Sequence, residues 1–68
     1  MAKSINSRQI IRRLGKDGWK KARQKGSHMI FRHADRPGSR VVVPHPKDSF
    51  KPNTLRDIFR CAGWDWPP

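Results

Sequence analysis

The stretch Trp19-Lys20-Lys21-Ala22-Arg23-Gln24-Lys25-Gly26-Ser27-His28-Met29-Ile30-Phe31-Arg32-His33 decides how the chain is read. Its first half alternates as a strand does, with Trp19, Lys21, Arg23 and Lys25 on one face and Lys20, Ala22 and Gln24 on the other. Gly26-Ser27 is turn chemistry. Ser27 to His33 then reads as a second strand, because Met29, Ile30 and Phe31 suit a pleated, half-buried surface. Two strands joined by so short a turn pair antiparallel.

Working outward, Ala34 to Ser39 is the loop of a further hairpin with Pro37-Gly38 at its turn, and Arg40 to Val43 is a valine-rich third strand. Pro44 and Pro46 end that strand, since neither can donate to a ladder. Pro44 to Pro52 is an extended loop. A helix precedes the first strand: Ser7 is the expected N-cap, Ile10, Ile11 and Leu14 stand at helical spacing, Gly15 weakens the last turn, and Gly18 supplies the stop. A second helix follows the loop, with Leu55, Ile58, Phe59 and Ala62 at i, i+3, i+4 and i+7. Asn53 or Thr54 is expected to cap it, with Asp57 in its first turn and Gly63 past its end. The expected fold is α+β, in the order α-β-β-β-α. A three-stranded antiparallel sheet carries both helices on one face, the layout of double-stranded-RNA-binding domains. Residues 1–68 form one domain with its core in about 7–64 and an irregular tail over 65–68; there are no internal repeats.

Charge points to the class of partner. The chain carries 16 Lys plus Arg against 5 acidic residues, a formal net charge of +11 on 68 residues. Residues 1–40 hold 12 basic and 2 acidic side chains, a net of +10, and residues 41–68 hold 4 and 3, a net of +1. A focused positive field attracts polyanions, nucleic acid above all. No apolar run approaches the length of a membrane span, no signal peptide is visible at the N-terminus, and the basic segment is not a membrane-surface helix. The single cysteine, Cys61, excludes an internal disulfide, suits a reducing compartment, and is expected to be a small buried hydrophobe. A cytoplasmic location follows as the expectation.

His28 is the residue placed to do chemistry. It follows Gly26-Ser27, where a ligand can approach the backbone closely, and it lies beside Arg23 and Lys25. A neutral imidazole there can take the proton of a ribose 2′-OH, and neighbouring cations can stabilise charge building on the phosphate. That chemistry needs no metal or other cofactor. The bland alternative is a hydrogen-bonded surface histidine. His33 and His45 are weaker candidates: His33 falls on the opposite face of a regular strand, and His45 lies in a proline-rich loop where a leaving-group acid could sit. No histidine pair has a recognised metal-ligand spacing, and with no glutamate in the chain two-metal nuclease chemistry is poorly supplied. Trp19 and Phe31 are expected in the core rather than stacked on bases. Trp64 and Trp66 either cover the core edge or anchor a protein partner.

Taken together, Gly18-Trp19, the basic run, Lys25 to His33, Val41 to Asp48, Pro52 to Ile58 and Ala62-Gly63 resemble HicA-type toxins over about residues 7–64. Asn53 departs from the glycine common there, which bears on the helix start and not on the chemistry, and the tail Trp64 to Pro68 lies outside the pattern. The resemblance implies an mRNA-cleaving endoribonuclease of a type II toxin–antitoxin system, with the double-stranded-RNA-binding-like fold. It implies His28 as the catalytic residue. It also implies a HicB-type antitoxin that covers the active site and makes any contact with operator DNA on the toxin's behalf. Lys21, Arg23, Lys25, Gly26, Ser27 and Arg32 are the expected RNA-binding residues, with Lys21, Arg23 and Lys25 on one strand face. Two rival readings share the electrostatics: a non-catalytic RNA-binding module of the same fold, and an interaction subunit whose basic face docks an acidic protein.

Overall fold

A computed structural model describes residues 5–67. The elements follow the expected order: α1 (Ser7–Lys16), β1 (Lys20–Lys25), β2 (His28–Arg32), β3 (Arg40–Pro44) and α2 (Pro52–Ala62). The strands form one antiparallel sheet in the order β1-β2-β3. Both helices lie against β3 on the same face of the sheet. Between the layers sit Ile10 and Leu14 of α1, Phe31 of β2, Val41 and Val43 of β3, Ile58 and Ala62 of α2, and Trp19, all buried. Each apolar stripe read from the sequence therefore meets the others in one core, as amphipathic helices on a half-buried sheet must.

β1 is different. All six of its residues are exposed. The helices cover β3 and part of β2 and leave β1 held by its pairing with β2, as a lysine-rich edge strand.

The helix starts differ from expectation by a residue or more. In α1 the cap is Asn6, whose side chain accepts from the Gln9 N–H at 2.8 Å while the Gln9 side chain accepts from the Asn6 N–H at 2.9 Å, a complete capping box. Ser7 is one residue inside, and its buried hydroxyl serves another purpose. In α2 neither Asn53 nor Thr54 is the cap. Lys51 occupies that position without a side-chain hydrogen bond and Pro52 opens the helix, a placement proline favours because its missing N–H has no partner there in any case. Asp57 accordingly falls beyond the first turn and pairs with Arg60 at 3.0 Å on the surface. Gly63 ends the helix in the left-handed conformation, φ 78°.

The tail resolves the two options for its tryptophans. Trp64 and Trp66 meet Phe59 edge-to-face, with ring centroids at 5.2 and 5.4 Å. Arg13 lies 4.2 Å over Trp64, and the Trp64 indole N–H donates to the Asp17 carboxylate. The tail covers the edge of the core and ties α2 to the end of α1.

Candidate active site

Chain direction brings four features to one end of the molecule. The β1–β2 turn lies there. So does the end of β3, because Pro44 pairs with His28. The His45 N–H donates to the Ser27 carbonyl at 2.7 Å, extending the ladder by one bond. The start of α1 is joined to the same loop, since the Ser7 N–H donates to the Lys47 carbonyl at 2.9 Å. The start of α2 follows a few residues later. Lys25-Gly26-Ser27-His28, His45 and Lys47 thus share an end that also holds the N-terminus of α1.

The turn itself is a two-residue hairpin closed by the Lys25–His28 pair. Gly26 has φ 59° at the first central position, and among the described residues no non-glycine residue, Ser27 included, has positive φ, the pattern a type II′ turn requires. Nothing approaches within 4 Å of where a Gly26 side chain would begin, so the glycine answers to backbone conformation alone. The Gln24 side-chain amide donates to the Gly26 carbonyl at 3.2 Å and holds the turn from below.

Register decides which side chains stand together. Residues directly opposite on neighbouring strands share a face. Phe31, Val41 and Val43 point into the core, so their face is the helix side. The open side is made of three cross-strand rows: Lys25, His28 and Pro44; Arg23, Ile30 and Val42; Lys20, Arg32 and Arg40. His28 is exposed, with Lys25 opposite it and Arg23 one row along. The open side carries five cations and no carboxylate.

Lys21 is the exception among the expected RNA-binding residues. The sequence reading puts it on one face with Arg23 and Lys25, but a bulge lies between Lys21 and Arg23: Lys21 opposes Phe31 and Arg23 opposes Ile30, leaving Ala22 as the extra residue. Lys21 consequently falls on the helix side, where its ammonium donates to Gln24 Oε1 at 3.3 Å. Arg23 and Lys25 instead join Lys20. An alternation count cannot register a bulge, because the inserted residue reverses the phase without altering composition.

The other two histidines are engaged elsewhere. His33 Nδ1 accepts from the Asp35 N–H at 3.0 Å, so its proton is on Nε2, which donates to the Asp17 carbonyl at 2.7 Å. Its ring meets Trp19 edge-on at 5.2 Å, at the far end of β2 from His28. His33 is a fastener between the end of α1 and the β2–β3 loop. His45 is half-buried, and its Nδ1 lies 2.7 Å from Ser7 Oγ. Ser7 Oγ also accepts from the Lys47 N–H at 2.9 Å, so one hydroxyl ties both the His45 ring and the Lys47 backbone to the start of α1. The Ser7–His45–Lys47 cluster was not visible as such in the sequence, because Ser7 lies 38 and 40 residues from the other two. Among the described residues no group of three or more His, Cys, Asp or Glu gathers as metal ligands.

Cys61 corrects another expectation. It is exposed, on the wall of an open groove between the free edge of β3 and α2 that is also lined by Arg40, Val42 and Ile58. The helix stripe buries Ile58, Phe59 and Ala62 and turns Arg60 and Cys61 outward.

The arrangement of cations has an energetic cost. Like charges directly opposite each other on neighbouring strands destabilise the pairing. Lys20, Arg32 and Arg40 form such a row across all three strands, and among the described residues the one salt bridge is Asp57–Arg60, so none of the three has a carboxylate partner. The open side is suited to holding several negative charges at once, with an exposed imidazole at one end.

Comparison with family models matches residues 7–64 to the model described as HicA toxin of bacterial toxin-antitoxin. The chain belongs to the HicA toxin family. The match spans every element from α1 through α2 and leaves out residues 1–6 and 65–68. No curated protein matches the chain. As a HicA toxin it has a cognate antitoxin as its partner. No helix among the described residues is long and apolar enough to cross a membrane.

Proposed function

We propose that this HicA toxin is a metal-independent endoribonuclease that cuts mRNA and so arrests translation. His28 takes the proton from a ribose 2′-OH. The 2′-oxygen forms a bond to the adjacent phosphorus as the bond from phosphorus to the 5′-oxygen breaks, and the departing 5′-oxygen takes up a proton. The products are a 2′,3′-cyclic phosphate and a 5′-OH. Lys25 and Arg23 offset the charge that builds on the non-bridging oxygens, and Arg32 holds a phosphate further along the strand. Gly26 and Ser27 let the RNA backbone come close to the turn.

One observation carries this reading: His28 is exposed at the end of a sheet face whose charged side chains are all cationic, directly across from Lys25. The other two histidines are already bound to Asp17, Asp35 and Ser7. The partner is a HicB-type antitoxin whose acidic surface is steered onto a chain of net charge +11 and masks the site, with operator DNA bound by the antitoxin and not by this chain.

The test is cleavage of an unstructured RNA in EDTA by the parent protein and by His28→Ala. The parent should yield fragments ending in cyclic phosphate, and His28→Ala should yield none while keeping its circular dichroism spectrum. Cleavage by His28→Ala at the parent rate would remove His28 from the mechanism. RNA binding by the parent without any fragments would leave a binding module in place of an enzyme.

A further inference from the structure

The row Lys20, Arg32 and Arg40 lies at the opposite end of the open face from His28, and nothing in the reaction as derived uses it as a unit. Four residue rises along β2 separate His28 from Arg32, about 13 Å. Between the two ends lies an apolar strip, half-buried Ile30 beside exposed Val42.

Edge protection explains only part of this row. Lysines on an exposed edge strand discourage pairing with other chains, which accounts for Lys20. Arg32 is on the central strand, where there is no edge to protect, and it is flanked on both sides by like charge. Such a row is destabilising to the free protein unless an anion lies across it.

We propose that the open face of the sheet is a track for single-stranded RNA. In it, Lys20, Arg32 and Arg40 bind phosphate at a position remote from the scissile bond, while the Ile30–Val42 strip contacts an unpaired base. The inference rests on the ribonuclease reading and adds the substrate's strandedness and two binding residues, Lys20 and Arg40. Three arguments select a single strand. The apolar strip needs an exposed base, and a duplex keeps its bases paired and stacked and offers chiefly phosphates and 2′-hydroxyls. The attack by the 2′-oxygen must be in line with the departing 5′-oxygen, a geometry that an A-form duplex does not adopt. The face is a shallow sheet, and both helices lie on its other side, so no helix is available to enter a groove. The strip holds no aromatic ring, so base contact there is weakly selective.

The experiment uses the full chain carrying His28→Ala, so that RNA stays intact, with a fluorescent 12-nucleotide single-stranded RNA and a blunt duplex of the same composition. Anisotropy titrations across a salt series compare it with versions also carrying Lys20→Gln, Arg40→Gln or both, and with Arg56→Gln, which removes the same charge from α2. The single strand should bind at least ten-fold more tightly than the duplex. Each row substitution should weaken it five-fold or more, and Arg56→Gln less than two-fold. The slope of log affinity against log salt should become shallower by about 0.7 for each row cation removed. Arg32→Gln supplies a readout that a purely structural row would not give: weaker RNA binding together with an unchanged or higher melting temperature.

Equal losses for Arg56→Gln and the row variants, or equal affinity for duplex and single strand, would overturn the track. So would row variants that keep RNA but lose the antitoxin, which would make the row a protein-docking surface. A parent chain that cleaves RNA normally when Lys20 and Arg40 are replaced refutes the track and spares the ribonuclease. A parent that binds single strands through the row but never cuts them does the reverse.

Discussion

Two glycines three residues apart should respond in opposite directions to the same added methyl group. Gly15 is inside α1, with nothing within 4 Å of the position its Cβ would take. Alanine there gains helix propensity, about 0.5–1 kcal/mol at an exposed interior position. Gly18 has φ 95°, and a Cβ would stand 2.8 Å from His33 Nε2. Alanine in a left-handed conformation costs roughly 1–2 kcal/mol. The displaced ring also loses the 2.7 Å bond from Nε2 to the Asp17 carbonyl, about another 1 kcal/mol. Gly18→Ala should therefore destabilise by about 2–3 kcal/mol. For a domain of this size each kcal/mol moves Tm by about 4–8 °C, so Tm should fall by at least about 8 °C in Gly18→Ala and rise by about 2–8 °C in Gly15→Ala. Differential scanning calorimetry of the three proteins at one pH and salt concentration reads both. A Tm for Gly18→Ala within 2 °C of the parent would refute the argument that His33 closes on Gly18, and a fall in Gly15→Ala would refute the free space around it.

Ser7→Ala should cost about 1–3 kcal/mol in urea unfolding, since it strips the Lys47 N–H and His45 Nδ1 of their shared partner; a loss under 0.3 kcal/mol would mean that the hydroxyl does not hold the loop. Gly26→Ala should cost about 1–2 kcal/mol by the same unfolding measurement, from backbone conformation alone, and unchanged stability would argue against the positive-φ turn. Cys61 should react fully with a thiol reagent such as DTNB in the folded protein without denaturant, and protection until unfolding would contradict its position on the groove wall.

The order of elements, the antiparallel pairing and most of the core were legible in the sequence. Apolar spacing is a local signal, and Ile10, Leu14, Ile58, Phe59 and Ala62 repeat at helical period while Val41 and Val43 alternate at strand period. Charge clustering is likewise local, and so is the short glycine turn that leads into His28. What escaped depends on register or on contact between distant segments. The bulge at Ala22 moves Lys21 away from Arg23 and Lys25, and the seven residues between Arg32 and Arg40 leave open which residue of β3 faces Arg32. Only pairing reveals the three-cation row, because each member looks like an ordinary surface charge in its own strand. The Ser7–His45 bond, the fastening of His33 and the packing of Trp64 and Trp66 on Phe59 likewise join residues that sequence periodicity cannot relate. The sequence determined which faces are oily and where positive charge gathers, since those properties belong to short stretches of chain. Tertiary structure decided which charges stand beside His28 and which histidines are already occupied, since strand register and loop closure are settled only when the whole core packs.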